Sequence, residues 1–200
     1  MAHSARLMYL SHPQVLIDPD VPITEWSLND VGQARINALA QIAHDRLKGT
    51  HSVFSSPERK ARDAAHPLAS ALELNVIIAE DSYENDRSAT GYLPPTEFET
   101  TADTFFANPT QSIRGWERAQ DAQDRILTSV QNMARTAPPG DILVVGHGAV
   151  GSLLYCACAN TPISRDHDQG PGGGGNVMVF DRANLQVRSH WQPLEQAFEI

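Results

Sequence analysis

The chain has 200 residues, 41% of them hydrophobic, enough for one substantial core and one domain over 1–200. Its formal net charge is -9 with 20% charged residues, which argues against a basic face for nucleic acid or an anionic membrane; an anionic ligand must be held by local cations. No stretch approaches the ~20 apolar residues of a membrane span.

The start, Met1-Ala2-His3-Ser4-Ala5-Arg6, leads into an apolar run too short for a secretory signal. That run, residues 6–10, is a strand. A Pro- and Asp-rich loop follows, then a helix over 28–47, with Ser27 and Asp30 as N-cap and capping-box pair and Leu28, Val31, Leu39, Ile42 and Leu47 as its stripe. Val53-Phe54 is a short buried strand. Ser56 as N-cap and Pro57 at the first helical position open the next helix, whose inner face is Ala61, Ala64, Ala65, Leu68 and Leu72. Residues 75–79 are strand-like. Residues 81–114 carry four Gly or Pro breaks and one short helix near 97–106, and form an excursion over a pocket. A helix over 115–136 presents Trp116, Ala119, Gln123, Ile126, Val130 and Met133 on one face and stops at Ala137-Pro138-Pro139-Gly140. A strand over 141–145 leads to His147 and a helix to about residue 159, where Cys156 and Cys158 point to different faces and stay unpaired. A reduced, cytoplasmic setting fits. Strands over 177–180 and 185–189 end the chain. The alternation describes an α/β domain with a mostly parallel sheet.

Two histidines lie just past strand ends: His12 in Leu10-Ser11-His12-Pro13 and His147 in Val145-Gly146-His147-Gly148. In an open α/β sheet, ligands bind at the carboxyl ends of the strands, so two imidazoles delivered there can face one pocket. Around them lie Trp26-Ser27-Leu28-Asn29-Asp30-Val31-Gly32-Gln33-Ala34, Ser55-Ser56-Pro57-Glu58-Arg59-Lys60-Ala61, and Gly115-Trp116-Glu117 eight residues before Arg125. In this order the motifs resemble the histidine phosphatase superfamily, the phosphoglycerate-mutase-like proteins. The match is divergent: Ser-His-Pro stands where the family has Arg-His-Gly, and Lys60 where it has a second arginine.

The resemblance implies a three-layer α/β/α sandwich, a phosphomonoester substrate, a phosphohistidine intermediate and no metal or other cofactor. His12 is then the nucleophile, since an imidazole with a pKa of about 6.5 is largely neutral at pH 7. A backbone carbonyl, here that of Pro13, would hold its second nitrogen. His147, if protonated, would stabilise phosphoryl charge, helped by backbone N–H groups at Gly148. Glu84 is the general acid, with Asp86 close enough in sequence to be confused with it. Ser11, Lys60 and Arg87 would hold phosphoryl oxygens, Ser11 by a neutral hydrogen bond. Glu117 and Arg125 form a structural support.

Plainer alternatives stay open. His12 would merely begin a turn and His147 cap a core helix. Arg87 would pair at the surface with Asp86 or Glu84, and the two acids would be solvated. Asp166-His167-Asp168 matches no trusted zinc spacing, and Gly172–Gly175 lacks the Lys-Ser/Thr of a P-loop. The implied partner is a small phosphorylated substrate or phosphate, with neither nucleic acid nor membrane; oligomeric state is not legible. The rival function is a weakened or inactive phospho-ligand-binding module on the same fold.

Overall fold

The computed structural model describes residues 4–200, so Met1, Ala2 and His3 lie outside the described residues. Six strands form one sheet: β1 (Arg6–Ser11), β2 (Thr50–Ser55), β3 (Val76–Ile78), β4 (Asp141–Gly146), β5 (Asn176–Asp181) and β6 (Val187–Pro193), in the order β3-β2-β4-β1-β5-β6. The first four pair in parallel, while β5 runs antiparallel to β1 and β6 to β5. The sheet is therefore mixed, its parallel part closed on one side by a hairpin.

The helices are α1 (Asp30–Arg46), α2 (Arg59–Ala71), α3 (Pro95–Ala107), α4 (Ala119–Thr136), α5 (Gly148–Ala159) and the short α6 (Leu194–Ala197). Met8, Leu10, Val53, Leu143 and Val145 face Ile36 and Leu39 of α1 and Leu68 of α2. From the other face Leu7, Tyr9, Ile142 and Val144 meet Ile126 of α4 and Leu153 of α5. Helices thus cover both sides, giving the three-layer sandwich. Burial on both faces is why residues 142–145 read as an unbroken apolar run rather than an alternating one.

Element starts depart from the sequence expectation where local chemistry is richer than a stripe. Asn29, not Ser27, caps α1, its side chain accepting from Gly32 N–H at 2.9 Å. Val31 is 57% exposed and no part of the inner face, which is Gly32, Ile36, Leu39 and Ala43. α2 begins at Arg59, with Ser56 and Pro57 in the lead-in turn. Trp116 lies before α4 yet is buried, because the turn at Gly115 (φ +85) swings it inward. Cys156 and Cys158 are both free thiols. Among the described residues no helix is long and apolar enough to cross a membrane.

A Cβ at Gly32 would lie 2.3 Å from the Gln14 carbonyl oxygen, so only glycine lets the post-β1 loop cross α1 here. Gly32→Ala is expected to lower unfolding free energy by about 1–3 kcal/mol, and Val31→Ala by no more than about 0.5 kcal/mol. Urea denaturation of the two variants checks both.

Candidate active site

The parallel register pairs Ser11 of β1 with Gly146 of β4, so the next residues, His12 and His147, leave the sheet side by side. His12 N–H donates to the Gly146 carbonyl at 2.9 Å. The chain then turns to α1 on one face after β1 and to α5 on the other after β4, the arrangement that places ligand sites at strand ends. The imidazole rings meet edge to face there, centroids 5.2 Å apart at 74°.

His12 is half-buried, and its Nδ1 lies 2.9 Å from the Pro13 carbonyl oxygen. A carbonyl only accepts, so Nδ1 carries the proton and Nε2 keeps its lone pair. His147 is fully buried at the N-cap of α5. The Tyr9 hydroxyl staples it, donating to its carbonyl at 3.2 Å and accepting from its N–H at 3.1 Å. Its Nε2 lies 2.7 Å from Ser56 Oγ. Ser56 Oγ also accepts from Glu58 N–H at 3.2 Å and has a proton to give to His147 Nε2. In that tautomer the ring proton is on Nδ1, a buried nitrogen with no partner among the described residues.

Burial, reinforced by His147 and Lys60, lowers the pKa of His12 from 6.5 to about 3. Burial likewise holds His147 well below its ordinary value, with Lys60, Arg87 and Arg125 adding to the effect. Without ligand, His147 is thus held toward its neutral form.

Lys60 comes to this site but is not free. It is buried, ion-paired with the Glu58 carboxylate, and donates to the Ile23 carbonyl at 2.8 Å. Glu58, 5% exposed, is the residue that sequence reasoning passed over. Its other oxygen accepts from Glu84 N–H at 2.9 Å and lies 3.7 Å from His147 Nε2. The available signal was an acid two residues before the aligned lysine, at the N-cap of α2, where the backbone is still extended and the side chain can fold back.

Arg87 lies over the Phe98 ring, 5.0 Å from its centroid, and its guanidinium makes no hydrogen bond or ion pair among the described residues. The surface pair with Asp86 or Glu84 is not formed. Asp86 is exposed and accepts from Ser88 N–H at 2.9 Å. Glu84 is half-buried and takes the N-terminus of α5, accepting from Val150 N–H at 3.0 Å and Ala149 N–H at 3.3 Å. A carboxylate thus holds helix N–H groups that were expected to help Gly148 bind phosphate. Burial raises its pKa against the pull of those N–H groups.

Ser11 is fully buried; its Oγ donates to Gln169 Oε1 at 2.6 Å and accepts from Asn176 N–H at 3.1 Å. Its only proton is committed, so it holds the loop before β5 rather than offering the expected free hydroxyl. Asn176 accordingly orders the side of the first histidine. Arg125 pairs with Glu117 at 2.7 Å and donates to the carbonyls of Asp81 and Tyr83, clamping the segment that carries Glu84. No metal-binding group of three or more His, Cys, Asp or Glu residues occurs among the described residues, and Asp168 instead accepts from Ser152 Oγ at 3.3 Å. A cleft of about 690 Å³, lined by Ile23, Glu58, Tyr83, Glu84 and Arg87 among others but by neither histidine, opens beside this place. The 81–114 excursion supplies its wall at one end and buries Phe105 and Phe106 of α3 at the other.

The family model for the histidine phosphatase superfamily (branch 1) matches residues 19–190. The fold is similar to that of mycobacterial glucosyl-3-phosphoglycerate phosphatase, with a TM-score of 0.75 and 18% identity over 96% of this chain and 100% of that one. The same enzyme in complex with inorganic phosphate gives a TM-score of 0.73 at 19% identity over 94% and 95%. The phosphoserine phosphatase of Entamoeba histolytica, in complex with 3-phosphoglyceric acid, gives 0.73 at 15% over 94% and 96%. No curated protein matches the chain.

The lowered histidines make stability depend on pH. Unfolding restores a pKa of about 6.5, so the unfolded chain binds more protons, and stability falls as pH drops below about 6.5 toward 3, by at most about 1.4 kcal/mol per pH unit per ring. The raised Glu84 acts oppositely, losing stability as pH rises through its folded value. Urea unfolding between about pH 7.5 and 5.5 is expected to show the fall, with a shallower slope for His12→Gln.

Proposed function

The chain belongs to the histidine phosphatase superfamily, branch 1, and from that premise we propose that it is a metal-independent phosphomonoester hydrolase working through a phosphohistidine. The observation that carries this reading is the ring pair: a neutral His12 with Nδ1 tied to Pro13 and Nε2 bare, 5.2 Å from the ring of His147. His12 Nε2 attacks phosphorus, the P–O bond to the leaving group breaks, and Glu84 gives that oxygen its proton. The Pro13 carbonyl stabilises the positive charge that the phosphorylated ring acquires. Water then attacks the phosphohistidine, Glu84 takes its proton, and phosphate leaves with His12 restored. His147 Nδ1–H, the buried donor without an acceptor, and Arg87, the unpaired cation, hold phosphoryl oxygens, with Lys60 behind them.

The substrate is a small phosphorylated molecule, and neither nucleic acid nor a membrane is a partner of so acidic a chain. Two free thiols suit a cytoplasmic setting.

One observation favours the second reading, a phospho-ligand-binding module with little turnover. The Glu58 carboxylate neutralises Lys60 beside His147, so the site has less net positive charge than its cations alone suggest. Both readings use the same residues, and only the first forms a covalent intermediate.

Wild-type protein incubated with a phosphomonoester panel and excess chelator is expected to turn over, with an acid-labile phosphoenzyme trapped from labelled substrate. His12→Ala is expected to lose at least about 10³-fold in kcat. Equal activity in the two proteins rejects the mechanism; phosphate binding without trapping selects the module. Glu84→Gln is expected to cost about 10²–10⁴-fold with alkyl esters and far less with 4-nitrophenyl phosphate, whose leaving group needs no proton. Glu58→Gln exposes Lys60 to the ligand: its melting temperature is expected to fall without phosphate, by the loss of a buried partner, and its affinity for phosphate to rise.

A further inference from the structure

The loop before β5 sends one side chain, Gln169, between the two turns that carry the histidines. Its Oε1 accepts from Ser11 Oγ at 2.6 Å and from Asn176 Nδ2 at 3.3 Å. Ser11 directly precedes His12. With its oxygen toward these two donors, the amide takes the Ser11 hydroxyl proton while Ser11 Oγ accepts from Asn176 N–H at 3.1 Å. The Nε2 end then faces the first residue of α5. A Cβ on Gly148, the residue after His147, would lie 2.2 Å from Nε2, so this approach exists only because position 148 is glycine. Nε2 has two N–H groups and no acceptor among the described residues, and it is not one of the polar atoms sealed from solvent.

We infer that Gln169 is a phosphoryl-contacting residue, donating one or both Nε2–H groups to a nonbridging oxygen of the bound phosphoryl group. This rests on the proposed function and adds to it a contact from a part of the chain that no sequence motif covers. Four features converge. The amide is aimed by its own oxygen and cannot turn without breaking two hydrogen bonds. It lies against Gly148, the residue that follows His147. It stands beside Ser11, whose hydroxyl is spent on aiming it. A neutral donor also suits a site whose buried lysine is already balanced by a carboxylate. The glycines that follow have the close approaches this placement needs. Gly175 N–H donates to the carbonyl oxygens of Ser11 and His12 at 3.2 and 3.1 Å, and a Cβ on Gly174 would lie 2.1 Å from the His12 carbonyl oxygen. The loop is bound to the turn that holds His12, so the amide is carried by a fixed backbone.

Binding of inorganic phosphate and of orthovanadate to wild type, Gln169→Leu and Gln169→Glu tests this. Gln169→Glu keeps an acceptor for Ser11 and Asn176 but has no N–H to donate; Gln169→Leu removes both ends. Both variants are expected to bind vanadate about 10- to 100-fold more weakly, as for loss of a hydrogen bond to a charged group. A purely structural Gln169 predicts a lower melting temperature for Gln169→Leu with phosphate and vanadate affinity intact in Gln169→Glu, and that result overturns the inference alone. Wild-type protein that binds neither anion overturns the proposed function and the inference with it. If Gln169→Leu does not fold, Gln169→Met, which has neither the N–H groups nor an added charge, is read beside Gln169→Glu. A loss shared by Met and Glu reports the missing donor; a loss in Glu alone reports charge repulsion and overturns the inference.

Discussion

Everything in this site depends on one backbone constraint, the parallel pairing of β1 and β4 with Ser11 opposite Gly146. Neighbouring strands lie about 4.8 Å apart, so the residues that follow a matched pair begin about that far apart whatever their side chains. Register is what makes them the two histidines. A slip of one residue would turn every side chain of β1 to the opposite face: Tyr9 would leave α5, Leu10 would leave α1 and α2, and the core would open on both sides. The apolar residues of β1 and β4 therefore hold the catalytic geometry without touching a ligand. Tyr9 links the two functions most directly. Its ring fills the core between the sheet and α5, while its hydroxyl fixes both backbone polar groups of His147.

The electrostatics follow from packing the site inward. Two imidazoles so close to Lys60, with little water, stay neutral, which is what a nucleophile needs and what a phosphate-binding cation does not. Charge is supplied by Lys60 and Arg87, and Glu58 and Glu84 offset it. A buried lysine without Glu58 would be costly in the empty protein. The pair thus stabilises the folded chain at some expense to the attraction for an anion. Donors that carry no charge, His147 Nδ1–H and the Gln169 amide, gain importance in that setting, since they stabilise an oxyanion without needing a counter-ion when it is absent.

How much of this could be read from sequence follows how local each signal is. The strands that end at the histidines and the helix stripes of α2 and α4 were legible because each rests on spacing within a single element; the Glu117–Arg125 support forms as well, although Glu117 lies before α4 rather than on it. The Pro13 carbonyl bond was legible because it lies one residue from His12. Val31 was misplaced because an apolar residue in the first turn of a helix satisfies the stripe while pointing past the core edge. Ser27 was preferred to Asn29 because both are good caps and only the path of the chain over Gly32 separates them. Glu58 and Gln169 escaped notice for a different reason. Glu58 matters through a side chain folding back from an N-cap, and Gln169 through a contact with Ser11, 158 residues away. Neither sequence neighbourhood shows what it will meet.

The placement of Glu84 joins the fold to the proposed chemistry. Its carboxylate lies on two N–H groups of α5, the helix that His147 caps, while Arg125 and Glu117 hold its backbone in place. Those N–H groups favour the ionised form, and burial opposes them. A phosphoryl group arriving beside His147 brings negative charge to the same helix end, and like charges close together cannot both stay ionised at little cost. On the mechanism proposed here, binding of the anion drives Glu84 to take up a proton just when the leaving oxygen needs one. Departure of the leaving group with that proton returns the carboxylate to a form that can deprotonate water. One helix terminus shared between ligand and side chain is in this way sufficient to make a single carboxyl serve first as acid and then as base.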